Sequence, residues 1–320
     1  MNKISIATAQ FQTRNGDKDY NLSRIEALTA EAAGKGAGVV CFHECSITSY
    51  TFLKDLDEKG IHELSEEVPS GPSTDRLIRI ARKHDVALLA GLVEREGNRL
   101  YNTCVCVSGE GWVARARKLH PFISKYLSPG EEYTMFDLFG CRCGILICYD
   151  NNIIENVRAE TLLGAEIVFM PHVTGCTPSP MPGRGWVDRK LWDNRENDPA
   201  AIREEFDGPK GRGWLMRWLP SRAYDNGIYV VFSNPIGPDG NQLKNGNSMI
   251  LDPYGEIMAE CRSLDDEVVV ASCTPEKLKL AGGYRYKRAR RPGLYGDILS
   301  RDNDAATRVE WMKPKDKRDR

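Results

Sequence analysis

The chain has 320 residues, of which 41% are hydrophobic and 28% charged; 44 Lys plus Arg face 45 Asp plus Glu, for a formal net charge of −1. A sequence this long and this apolar can bury a large core, which excludes a disordered protein. The even charge excludes a global basic surface for nucleic acid or an anionic membrane, and no apolar run approaches the ~18 residues of a spanning helix.

Ile4–Gln10 carries no charge and predicts a strand. A helix follows, with Asn21 placed as its N-cap, Ile25, Leu28, Ala32 and Ala33 on one face, and Gly34 near its end. Residues 39–42 predict a buried strand that ends at His43 and Glu44. Ser73 or Thr74 is expected to cap a helix bearing Leu77, Ile78, Ile80 and Ala81. Residues 86–93 and 100–107 predict a hairpin with Asn98 in its turn. In the strand expected at 112–117, Val113, Arg115 and Arg117 share one face, and Ala114, Ala116 and Lys118 the other.

The middle of the chain repeats this alternation. Residues 134–138, 142–148 and 167–170 predict strands, and 153–163 a helix stopped by Gly164. Residues 175–213, rich in Pro, Gly, Trp and Asp, read as a long irregular stretch. A helix over 214–224 is expected to break or kink at Pro220. Residues 228–233, 248–251 and 267–271 are the last expected strands, followed from Tyr284 by a basic tail whose charged end, 313–320, is expected to fray. No composition break marks a linker. The expected organisation is one α/β domain over 1–283 with an insertion at about 175–213, then a tail over 284–320 suited to an oligomer contact. The N-terminal residues run directly into strand-like sequence without a signal-like apolar stretch. A cytoplasmic location is therefore expected, with most of the ten cysteines acting as small buried hydrophobes.

Cys148 is the first candidate for chemistry. It is placed at the end of the apolar run 144–147, ahead of Tyr149, Asp150, Asn151 and Asn152, which introduce a helix. A thiol facing a helix N-terminus is expected to have a lowered pKa, and the same N–H groups would hold an oxyanion. The bland alternative is an inert buried cysteine. Glu44 lies just past a strand end, where open α/β sheets gather ligands, although alone it reads more readily as a solvated loop acid. Lys118 alone is one surface lysine among many. Together the three close different strands and would supply a nucleophile, a base and a cation without histidine. The pairs Cys104/Cys106 and Cys141/Cys143 each share a strand face and read as core, so no metal is expected. Glycine-rich phosphate fingerprints are missing, so no cofactor is expected either.

Phe42-His43-Glu44, Arg117-Lys118-Leu119-His120, Ser128-Pro129-Gly130 and Gly144-Ile145-Leu146-Ile147-Cys148-Tyr149-Asp150 resemble the motifs of the nitrilase superfamily, the carbon–nitrogen hydrolases. Gly164-Ala165-Glu166-Ile167, Met170-Pro171 and residues 222–231 extend the likeness from about Ile4 to Ala271. The resemblance implies a single-domain, four-layer α-β-β-α sandwich that usually dimerises. It implies Glu44 as general base, Lys118 as oxyanion stabiliser, Cys148 as nucleophile and the Tyr149 N–H as a second oxyanion donor, acting through a thioester. Cys148-Tyr149-Asp150 is similar to members that cleave amides or carbamoyl groups, rather than nitriles. Where carbamoylases of this family carry arginines after the nucleophile, this chain has Asn151 and Asn152, leaving Arg158 or the insertion as sources of a carboxylate anchor. Many members carry a second glutamate near Ser124-Lys125-Tyr126; here Glu131 or Glu132 are the candidates to replace it. Tyr50, Asn152, His172 and Trp186 are further candidate substrate contacts, with His172 equally suited to a structural role. The insertion reads equally as a lid or as an oligomer contact. The expected partners are a small amide, carbamoyl or nitrile substrate and further copies of the chain in a homodimer or higher homo-oligomer, with neither nucleic acid nor membrane. A non-catalytic scaffold protein of the same fold is the competing class.

Overall fold

The structure is a computed structural model that describes residues 1–301 apart from Pro178, Pro180 and Pro182. In chain order its strands are β1 (Ile4–Gln10), β2 (Val39–Cys41), β3 (Ala87–Glu96), β4 (Arg99–Ser108), β5 (Gly111–Arg117), β6 (Thr134–Leu138), β7 (Cys141–Ile145), β8 (Ile167–Pro171), β9 (Tyr229–Ser233), β10 (Ile236–Asp239), β11 (Gln242–Asn245), β12 (Met249–Leu251), β13 (Ile257–Glu260) and β14 (Glu267–Cys273). The helices are α1 (Lys18–Gly34), α2 (Glu58–Leu64), α3 (Pro72–His84), α4 (Ile154–Leu162), α5 (Arg189–Asp193), α6 (Pro199–Asp207), α7 (Arg212–Leu215), α8 (Leu219–Asn226), α9 (Pro275–Leu280), α10 (Gly282–Arg288) and α11 (Pro292–Leu299), with two 3-10 turns at Thr51–Asp55 and Cys148–Asn152.

The strands build two six-stranded mixed sheets, ordered β14-β1-β2-β3-β4-β5 and β13-β12-β9-β8-β7-β6, plus the separate β10–β11 hairpin. The inner strands β2, β8 and β9 are buried along their whole length, as their unbroken apolar sequences require. Between the sheets lies a core that includes Ile6, Val39, Leu89, Ile147, Phe169 and Val231 together with Cys41, Cys104, Cys106, Cys141, Cys143 and Cys273. Both Cys-x-Cys pairs thus pack in this layer, and all ten cysteines are free thiols. The outer face of the first sheet is covered by Ile25 and Leu28 of α1 and Leu77 and Ile80 of α3. Val157 of α4 and Leu219 and Ala223 of α8 cover the second. The layers therefore run α-β-β-α, as expected for a single domain.

Local departures from the expected elements have identifiable causes. Helix α1 begins earlier than expected: Asp17 is its N-cap, accepting from the Tyr20 N–H, while Asn21 is buried inside the helix and its amide bonds Arg14 and Ile47. Helix α3 is entered through Gly71 and Pro72, because the Ser73 N–H and hydroxyl both donate to Glu66. Pro220 does not kink a helix; it sits in the first turn of the separate α8, where its missing N–H costs nothing. The stretch 175–213 is not irregular throughout. It holds α5, α6 and the start of α7, whose Trp192, Ile202 and Phe206 pack with Ile236 and Leu243 of the β10–β11 hairpin. Pro178, Pro180 and Pro182 of that stretch, and the charged end at 313–320, lie outside the described residues. The tail from Tyr284 continues α10 and then forms α11.

Candidate active site

Glu44, Lys118 and Cys148 come from three different connections at one end of the two sheets. Glu44 follows β2 in a tight turn in which Ile47 N–H donates to Gly91 carbonyl and Gly91 N–H donates to Ser46 Oγ. A Cβ at Gly91 would stand 2.2 Å from the Cys45 nitrogen, so only glycine lets β3 approach this turn. Lys118 follows β5 on the inward face that also carries Ala114 and Ala116. Its N–H donates to the Asn102 carbonyl and its carbonyl accepts from the Gly130 N–H, each at 2.8 Å. This explains Ser128-Pro129-Gly130 physically: a Cβ on Gly130 would stand 2.4 Å from the Arg117 carbonyl oxygen.

Strand β7 ends at Ile145, not at Cys148. The cysteine instead opens the 3-10 turn and has φ +53, a left-handed conformation that costs a non-glycine residue roughly 1–2 kcal/mol. The surrounding bonds sustain it. The Asn151 amide donates to the carbonyls of Leu146 and Cys148, and the Arg222 guanidinium donates to the carbonyls of Asn151 and Asn152. Asp150 binds the neighbouring motif: its carboxylate accepts from the N–H groups of Ile147, Leu119 and His120 and contacts His120 Nδ1 at 3.0 Å. The cysteine turn on the second sheet is thereby tied to the lysine segment on the first.

The side chains converge. Lys118 Nζ donates to Glu44 Oε1 at 2.7 Å, and Asn102 Nδ2 donates to the same oxygen at 2.6 Å. Glu44 Oε2 is buried and has no hydrogen-bond partner among the described residues. The Cys148 thiol donates to the Val173 carbonyl at 3.9 Å and is 7% exposed, whereas the other nine cysteines are 0–1% exposed. Burial pushes this thiol up to about 12, followed by the adjacent Glu44 charge, with Lys118 opposing. The lowered thiol pKa expected from a helix N-terminus is therefore corrected. A five-residue 3-10 turn offers little dipole, and burial beside a carboxylate dominates. Burial acts to lower the Lys118 pKa, but the charges of Glu44 and then Tyr50 and Cys148 outweigh it, so the ammonium is held well above its usual range. Tyr50 OH lies 3.5 Å from Lys118 Nζ, and the exposed Phe122 ring lies 5.0 Å from it, so this buried cation sits one ring's depth below the surface.

The remaining expected contacts divide. Tyr50 joins the cluster, and Tyr149 directly follows Cys148 with its ring against Phe122. His172 is buried, stacked on Trp218 and in contact with the Asn151 amide at 3.1 Å; burial, then Lys118, keeps its ring neutral, well below the usual imidazole range. The Asn152 carbonyl is held by Arg222, and its half-buried side chain makes no hydrogen bond to the cluster among the described residues. Glu131 and Glu132 are exposed and line a surface cavity with Arg99, Arg115 and Arg117, on the face of β5 opposite Lys118, because side chains alternate along a strand. They do not enter the cluster. Trp186 is 45% exposed and does not join it either, since Trp192 supplies the buried aromatic of the insertion. Arg158 faces the surface at the α4–α8 seam and donates to the Asp225 carbonyl. Sequence reasoning missed Asn102 and the tie made by Asp150. Asn102 carries a legible signal: a polar residue in phase with Cys104 and Cys106 on the inward face of β4.

A two-sheet sandwich that gathers a buried thiol, a half-bonded carboxylate and an ammonium at one end defines a cysteine hydrolase rather than a binding fold alone. A family model described as "Carbon-nitrogen hydrolase" matches residues 5–282. Similar relatives include an (R)-stereoselective amidase from Pseudomonas sp., 30% identical over 298 residues that cover 92% of this chain and 94% of the relative. A nitrilase from Pyrococcus abyssi is 27% identical, covering 84% of this chain and 88% of its own. The omega-amidase of Homo sapiens is 28% identical, covering 85% and 88%. Among solved structures, a double mutant of the amidase from Nesterenkonia sp. AN1 in complex with acrylamide superposes with a TM-score of 0.69 at 21% identity, covering 92% of this chain and 97% of that one. The chain belongs to the carbon–nitrogen hydrolase family.

Proposed function

We propose that this hydrolase cleaves small amides or N-carbamoyl compounds, with Cys148 as nucleophile, Glu44 as general base and acid, and Lys118 and the Tyr149 N–H as oxyanion donors. The observation that carries the reading is the split carboxylate. Glu44 Oε1 is occupied by Lys118 and Asn102, while Oε2 is buried and unpartnered beside a thiol that stays protonated at neutral pH. Glu44 Oε2 takes the Sγ proton as sulfur bonds to the carbonyl carbon, and the developing oxyanion is met by a remaining Lys118 N–H. Glu44 then returns the proton to the nitrogen as the C–N bond breaks, leaving a thioester. Water loses a proton to Glu44 and attacks the thioester, and the sulfur leaves and is reprotonated. Cys148-Tyr149-Asp150 and the amidase relatives favour amides over nitriles.

The ten free thiols suit a reducing compartment, the cytoplasm. The exposed Leu294, Ile298 and Leu299 of α11 suit a contact between copies of the chain. The test is ammonia release from matched amide, N-carbamoyl and nitrile panels. Amides or carbamoyl compounds should turn over, and turnover should vanish in Cys148→Ala with the fold retained. Turnover of nitriles alone would overturn the substrate class, and turnover by Cys148→Ala would overturn the nucleophile.

A further inference from the structure

Lys244 is a buried cation that the mechanism above does not use. It lies on β11, is 2% exposed, and its ammonium donates to the neutral Gln242 Oε1 at 2.5 Å. Among the described residues no carboxylate lies within ion-pairing distance of it. The acid whose charge acts on it most is Asp239, at the turn end of the hairpin, and both its oxygens are engaged by the backbone N–H and hydroxyl of Thr51. A buried ammonium without an anion is costly, so such a group is expected where an anion arrives from outside.

The hairpin that carries Lys244 is fastened to the catalytic cluster from two sides. Asp239 holds Thr51, the residue after Tyr50, whose hydroxyl meets Lys118. Asn245 packs directly on Gly175, two residues past Val173, whose carbonyl accepts from the Cys148 thiol. Gly237 stands opposite Lys244 in the hairpin register, and a Cβ there would meet the Trp192 ring, so the insertion backs the hairpin from behind. From this seat the ammonium is within electrostatic reach of Cys148 and Glu44. Burial pulls its pKa down, opposed by Asp239 and then by Cys148, Cys176 and Glu44.

We propose that Lys244 binds a carboxylate at the end of the substrate remote from the scissile bond, so that the preferred substrates are anionic amides or N-carbamoyl acids. The proposal rests on the hydrolytic reading above and names its substrate class. It also supplies the carboxylate anchor that Asn151, Asn152 and Arg158 do not.

Succinamate and butyramide have the same carbon count and differ by a carboxylate in place of a methyl. The wild-type enzyme should show a higher kcat/KM for succinamate, and Lys244→Met should lower the succinamate-to-butyramide ratio by roughly 30-fold or more, as expected when one partner of a desolvated charge pair is removed. Lys244→Gln is a second variant for the same measurement. A wild-type preference for butyramide, or an unchanged ratio in the folded variants, would overturn the proposal, since a lysine that merely fills the core would not move the ratio. Calorimetry separates this from failure of the hydrolytic reading. Cys148→Ala should bind succinamate more tightly than butyramide, and adding Lys244→Met should remove the difference, whether or not either amide turns over; equal affinities in Cys148→Ala would refute the anion site.

Discussion

Two buried carboxylates on adjoining strands are treated in opposite ways. Glu94 of β3 has both oxygens occupied: Arg115 and Arg117 donate to Oε1, and Thr103 and Arg117 donate to Oε2 at 2.6 and 3.0 Å. Glu44, just past β2, has Oε1 occupied twice and Oε2 left bare. Both are fully shielded from water, and both face cations supplied from β5 or its end, Arg115 and Arg117 on one side of the strand and Lys118 on the other. A saturated carboxylate can only hold strands together, because any proton it gained would cost it hydrogen bonds. A half-saturated one can accept a proton without dismantling its anchor. The contrast suggests where in this fold stability ends and chemistry begins.

Substitutions should separate the two clusters, beginning with the nucleophile. Cys148→Ala should lower kcat by about 10⁴-fold or more with little change in thermal stability, as for other nucleophile deletions. Glu44→Gln keeps the anchor bonds available but removes the base, and should lower kcat by roughly 10²–10⁴-fold. It should also slow iodoacetamide alkylation of Cys148, which in the wild type should outpace the other nine cysteines because Cys148 is 7% exposed and none of the others exceeds 1%. Lys118→Met should lower kcat by about 10²–10³-fold and, by stranding the Glu44 charge, destabilise the fold by about 3–5 kcal/mol in urea titration. Glu94→Ala should cost a similar stability yet leave kcat of the folded fraction intact. A loss of kcat there equal to that of Glu44→Gln would erase the distinction.

The smallest effect is one of pH. His43 is held neutral by burial, lowered to about 4, and burial, then Lys118, holds His172 well below the usual imidazole range. Below pH ~6.5 the unfolded chain takes up protons that the folded one refuses. Stability should therefore be fully present above that pH and decline as pH falls toward 4. His43→Gln should flatten part of that acid slope in denaturant titrations at stepped pH.

Much of this was legible because burial on both faces leaves uninterrupted apolar runs, as at β2, β8 and β9, and because alternation along β5 assigns Lys118 to the inner side. The nucleophile's segment was legible as an apolar run meeting turn residues, although the run's last residues do not extend the strand. Other features were hidden for physical reasons. Asp17, Asn21, Ser73 and Thr74 all have capping side chains, and only tertiary partners, Ile47 for one and Glu66 for another, decide which of them cap. The β10–β11 hairpin spells Pro238, Asp239, Gly240 and Asn241, a loop by composition, and becomes ordered through the insertion packed against it. Lys244 could not be told from any surface lysine until that hairpin folded inward. Glu132 and Trp186 matched the expected residue types but fell on the outside, where sequence spacing carries no directional information.

Asp150 has a mechanical consequence. The sulfur and the ammonium belong to opposite leaves of the sandwich, and the layer between the leaves is rich in small, polarisable thiols packed among Ile, Val, Leu and Phe, none of which bonds one leaf's catalytic segment to the other's. A carboxylate that grips Ile147, Leu119 and His120 at once acts as a rivet at the reacting end, so one side chain sets the spacing between attacker and counter-charge across the sandwich.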